Sequence, residues 1–129
     1  MTRNKVLFIL TIFGLTSCDP VHQLQLDNET SKPIVVIYRP LLGFAQTGSK
    51  IESFDANGVT YAKTVLDSGQ VMRIGNVVAS YTPRPDDVEL DFLEICIDSD
   101  TMKLTGKKSI FSAIQKVDKL DWRLIIKDK

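Results

Sequence analysis

Short apolar, β-branched runs, cut apart by turn residues, constrain this chain more than any other feature. Ile34-Val35-Val36-Ile37-Tyr38 follows Pro33 without polar alternation, the pattern of a strand covered on both faces. Residues 59–66 alternate, bounded by Asp55-Ala56-Asn57-Gly58 before and Asp67-Ser68-Gly69-Gln70 after. Asn and Gly both tolerate positive φ, so Asn57-Gly58 predicts a tight hairpin. A first short strand is expected at Leu24-Gln25-Leu26, closed by the polar turn Asp27-Asn28-Glu29-Thr30-Ser31-Lys32. Residues 71–81 read as another strand, with a bulge expected at Gly75. Pro83 and Pro85 lack the N–H that a ladder needs, which makes 82–87 a loop. Residues 88–97 are the most strand-like segment, and Trp122-Arg123-Leu124-Ile125-Ile126 is expected to close the fold. Two glycines and mixed polarity make 40–49 a loop. A helix is expected from a cap at Ser109, with Ile110, Phe111, Ile114 and Val117 on one face and Asp118 to Asp121 ending it. The fold class is therefore mainly β, a single antiparallel β-sandwich of about seven strands with one short C-terminal helix.

The first residues follow a different rule. Met1-Thr2-Arg3-Asn4-Lys5 is positive, and Val6-Leu7-Phe8-Ile9-Leu10-Thr11-Ile12-Phe13-Gly14-Leu15 is an uncharged run of ten. A helix needs about 20 residues to cross the hydrocarbon, so ten is the length of a secretory core segment. Leu15-Thr16-Ser17-Cys18 follows. Positive start, apolar run and this tetrapeptide together resemble the bacterial lipoprotein signal, whose lipobox reads Leu, small, small, Cys. The resemblance implies a diacylglyceryl group on the Cys18 thiol, cleavage between Ser17 and Cys18, and acylation of the new amino terminus. At about 0.8 kcal/mol per buried methylene, two or three acyl chains amount to a lasting anchor. In enteric bacteria Asp19, the second mature residue, implies retention in the inner membrane; inner against outer membrane stays open. The expected organisation is a signal peptide over 1–17, a lipidated tether over 18–23, and one sandwich domain over 24–129. The expected place is a cell membrane, on the side of the periplasm or the exterior.

The domain loosely resembles small sandwich lipoproteins of Gram-negative bacteria. The residues that carry the likeness are Leu26-Asp27-Asn28-Glu29-Thr30-Ser31-Lys32-Pro33-Ile34, then Ile95-Cys96-Ile97-Asp98, then the Trp122 strand. That resemblance implies a strand, an Asn-x-Thr turn and a second apolar strand at the start of the domain, and no defined activity. Ser68-Gly69-Gln70 followed by Ile74-Gly75-Asn76-Val77-Val78-Ala79-Ser80-Tyr81 has a weaker likeness to the sandwich lipoprotein of type VI secretion assemblies.

Sixteen basic residues balance sixteen acidic ones, so the chain lacks the positive field of a nucleic-acid binder. The balance is segregated along the chain. Asp86, Asp87, Glu89, Asp91, Glu94, Asp98 and Asp100 fall within fifteen residues with no basic residue among them. Along a strand Glu89 and Asp91 share a face, whereas Asp98 and Asp100 lie past its end. Glu89, Asp91, Asp98 and Asp100 are the weak candidates for a Ca²⁺ site, weighed against a solvated acidic edge that deters pairing with other chains. Residues 103–129 hold eight basic residues against three acidic. They suit either anionic head groups or the acidic block of the same fold.

His22 is the only imidazole, and with Cys18 lipidated Cys96 is the only free thiol. Zinc sites built from several His or Cys are thereby excluded, and a hydrolase triad would have to recruit a tether residue. Cys96 reads as a small buried hydrophobe, Trp122 as a core aromatic, and Asn28-Glu29-Thr30 as a turn. No phosphate-binding glycine loop occurs and no cofactor is implied. The expected function is a non-enzymatic structural or protein-interaction module, bound to the membrane through Cys18 and serving an envelope protein partner. The alternative is solute or ion capture by the acidic segment or the loop 41–49. A weaker one is a subunit of a type VI secretion-like assembly.

Overall fold

The structure, a computed structural model, describes residues 21–41, 51–78 and 81–129. Asn57 and Gly58 take φ of 52° and 77°, and their two-residue turn joins strand β3 (Glu52–Ala56) to β4 (Val59–Leu66) as the sequence requires. The other strands are β1 (Val21–Asn28), β2 (Ile34–Pro40), β5 (Val71–Val78), β6 (Leu90–Ile97), β7 (Asp100–Thr105), β8 (Gln115–Asp118) and β9 (Asp121–Ile126). One sheet has the order β5-β1-β9-β8 and the other β3-β4-β2-β6-β7. Leu24, Leu26, Met72, Ile74 and Leu124 from the first sheet share one core with Ile34, Val36, Tyr38, Leu66, Leu93 and Ile95 from the second. Each such side chain contributes about 1.5–3 kcal/mol by leaving water. Burial also pushes the Tyr38 hydroxyl above its ordinary pKa, because the phenolate is disfavoured away from water.

The mainly β sandwich is thus the observed architecture, with four differences from the sequence reading. Among the described residues nine strands replace about seven, since β3, β7 and β8 were not marked by alternation. One pair, β1 with β9, is parallel, with Leu24 opposite Trp122 and Asn28 opposite Ile126. The helix α1 spans Lys107–Ser112, earlier than Ser109 to Val117, and lies between β7 and β8. It starts at Gly106, whose φ of 88° suits glycine, and Ile110 is its one buried residue. Pairing with β9 takes residues 115–118 into the sheet, which leaves Val117 exposed instead of on a helix face. Residues 21–23, expected within the tether 18–23, pair with β5 instead.

Two of the four chain crossings between the sheets among the described residues, β1 to β2 and β4 to β5, meet at one end around Asn28, which is fully buried. Its amide nitrogen donates to the carbonyls of Leu66 (2.8 Å) and Lys32 (2.9 Å). Its Oδ1 accepts from the amide (3.0 Å) and the hydroxyl (2.6 Å) of Thr30. The Asn28 backbone bonds the Gly69-Gln70 turn in both directions, while Glu29 donates to Ile126 at the end of β9. Midway along the pair β5 is bulged against Leu24, and Val88 forms a bridge to Gly75. A Cβ on Gly75 would lie 2.3 Å from the Asp87 carbonyl oxygen. That approach explains the glycine at the expected bulge.

Three stability outcomes follow from these contacts. Asn28→Ala strips the side-chain donor from the Leu66 carbonyl and the acceptor from the Thr30 amide, while the Lys32 carbonyl keeps the Thr30 hydroxyl. At about 1–3 kcal/mol for each unsatisfied buried group, the change should cost about 3 kcal/mol in urea denaturation. Asn28→Asp should cost more, since a carboxylate faces both carbonyls without a proton to give. Gly75→Ala should lose about 2–3 kcal/mol, as backbone must shift to admit the methyl.

Candidate functional site

On the five-stranded sheet, alternation sends Ile34, Val36, Tyr38, Ala62, Leu93 and Ile95 inward and their neighbours outward. Register then assembles the outer face in rows. Phe54 lies opposite Tyr61, and Arg39 opposite Phe92. The Phe54 and Tyr61 rings stack with centroids 5.7 Å apart, and Tyr61 meets Phe92 edge-on at 5.4 Å. Beside these rings the Arg39 guanidinium grips the Asp91 carboxylate through Nε and a terminal nitrogen. That hydrogen bond holds the Arg39 pKa above its ordinary range. Phe54 keeps 39% of its surface exposed. In the next row Glu52 faces Lys63 and Glu94 faces Lys103, with Ile37 between. Beyond it lie exposed Val65 and half-buried Val35 and Cys96. The Cys96 thiol donates weakly to Glu94 at 3.8 Å. The outer face is therefore aromatic, then charged, then aliphatic.

The acidic block is dispersed. Glu89 pairs with Arg73 (2.6 Å), Asp98 with Lys32 (3.1 Å) and Asp100 with Lys129 (2.7 Å), and Asp91 with Arg39. Asp87 accepts the Arg84 amide at the start of a single 3-10 turn, Pro85–Asp87. The four Ca²⁺ candidates are thus held by four different cations, and among the described residues no three His, Cys, Asp or Glu side chains gather as metal ligands. Three of these cations precede the block; of the basic tail, only Lys129 reaches one of the four. A second network joins Arg123 to Asp121 (2.7 Å) and to buried Asp27 (2.9 Å), and both bonds raise the Arg123 pKa.

His22 is not on a tether. It pairs with Val77 in β1, and its two ring nitrogens are shielded with no hydrogen-bond partner among the described residues. Strand alternation puts it on the face of Leu24 and Leu26. Trp122 is half-buried against the core, with the Lys116 ammonium 6.0 Å from its ring centroid. Ser17, Cys18 and Asp19 lie outside the described residues, as does the loop 41–49 beyond Leu41. The aromatic row was missed by sequence reading. Its signal was the outward parity of Phe54, Tyr61 and Phe92, readable only once the register was known. Compared with protein-family models, with curated proteins and with solved structures, the chain finds no match.

With each candidate carboxylate already facing a cation, millimolar Ca²⁺ should leave the thermal midpoint unchanged. A rise that saturates with Ca²⁺ would instead mark a cation site.

Proposed function

We propose that the protein is a lipid-anchored lipoprotein of the cell envelope, held in a membrane by acyl chains on Cys18 and acting without catalysis as a protein-interaction module. The observation that carries the interaction reading is the row Phe54, Tyr61, Phe92 and Arg39 on the outer face of the five-stranded sheet. Aromatic rings and arginine dominate the energetics of protein contacts, because they combine large apolar area with few torsions to freeze. Here the rings already brace one another, and Asp91 already orients the guanidinium, so little order remains to be gained on binding. The lipobox carries the anchoring reading, with signal cleavage between Ser17 and Cys18 and Asp19 as the sorting residue. The module faces the periplasm or the cell exterior.

Each half of the reading has its own outcome. Cys18→Ser should abolish incorporation of radioactive palmitate; persistent labelling refutes the anchor. A photo-crosslinking residue placed at Tyr61 in living cells should give a discrete adduct that weakens when Phe54 and Phe92 are changed to Ser. A residue at Lys127 should give none. Equal adducts from both positions would overturn the interface.

A further inference from the structure

We propose that the end of the sandwich formed by the start of β1 and the β8–β9 turn rests on the bilayer surface, with Val117, Leu120, Val78 and Tyr81 in the lipid interface. The inference depends on the lipid anchor at Cys18. Strand β1 begins at Val21, which already pairs with Val78. Three residue steps from Cys18 span at most about 11 Å, since an extended chain advances no more than about 3.6 Å per residue. An acyl anchor at the membrane surface therefore keeps this end of the first sheet beside the head groups, whatever path the short link takes.

Topology decides what else lies there. Because β9 runs parallel to β1, its start sits at the start of β1, with Trp122 level with Leu24. Asp118 pairs with Asp121, so Lys119 and Leu120 form the hairpin turn at that end. Val117 is 52% exposed, Leu120 48%, Val78 41% and Tyr81 67%. Four of the most exposed apolar side chains thus sit with the anchored end. Lys116 and Lys119 stand among them, and Trp122 lies just behind. Apolar tips, aromatic rings and lysines with long apolar stems are the composition of a membrane-interface patch. The two acids of the turn are occupied: Asp121 binds Arg123, and Asp118 accepts the amide of Lys119. The opposite end carries exposed Val71 but is otherwise lined by charge, with Glu29, Lys32, Asp98, Asp100 and Lys129 around the Asn28 turn and the close of β9.

Trp122 is the only tryptophan, so the wild-type chain carries its own probe. The full mature lipoprotein is reconstituted in phosphatidylethanolamine–phosphatidylglycerol vesicles, with or without bromine on the upper acyl chain. Bromolipid should quench Trp122 emission, and Val117→Asp with Leu120→Asp should relieve the quenching while the protein still floats with the vesicles. Unquenched emission from protein that floats overturns the docked orientation and leaves the anchor intact. The same result with a dimer in detergent assigns the patch to a second copy of the chain. Failure to float, with no acyl mass on Cys18, removes the anchor and the orientation together. Should the double variant not fold, the comparison of bromolipid with plain lipid in the wild type decides alone.

Discussion

One carboxamide, that of Asn28, sits where the two sheets exchange chains. Its two hydrogens hold the carbonyls of Leu66 and Lys32, and its oxygen holds Thr30. A buried polar network of this kind is stabilising only when complete, because any unpaired member is left away from water. Completeness here fixes geometry as well as energy. β1 leaves one sheet, β2 enters the other, and the β4–β5 turn returns, all within reach of the same amide. Of the four sandwich corners that must be turned, two are thereby specified by a single residue. The apolar core supplies the larger free energy, but it says only that two faces meet. The amide says in which register they do so.

Charge is arranged by the same economy of position. Seven acids in one stretch of sequence read as a field, yet in space the four ligand candidates face Arg73, Arg39, Lys32 and Lys129. Sequence-adjacent carboxylates alternate across a strand and then turn a corner, so each meets a different neighbour. What remains on the outer face of the larger sheet is a surface of rings, alternating charges and aliphatic tips. Asp91, next to Phe92 in β6, is already committed to Arg39.

How much of this was legible varied with the physics behind each signal. The Asn57-Gly58 hairpin, the limits of β4, the Gly75 bulge and the turn at Asn28 follow from local backbone preferences, and local preferences are written in sequence. The edge strands β3, β7 and β8 were invisible because most of their side chains are exposed on both faces, which erases alternation. Residues 115–118 had helical spacing and became sheet, since pairing with β9 outweighs an intrinsic preference worth a few tenths of a kcal/mol per residue. His22 looked like part of a tether because nothing local shows that Val77 will lie beside it. The Arg39–Asp91 pair and the aromatic row demand register between segments far apart, which one sequence does not print.

The parallel seam between β1 and β9 has a consequence for the order of events. Residue 24 is among the first of the domain to be made and residue 122 among the last, yet they are neighbours in the middle of a sheet. Until 121–126 exist, β1 has a partner on one side only and its other edge is bare. Closing a loop of that span must precede any reward from the seam, which slows folding. A chain wired this way stays pliant while it is being synthesised, and its architecture is completed by its final strand.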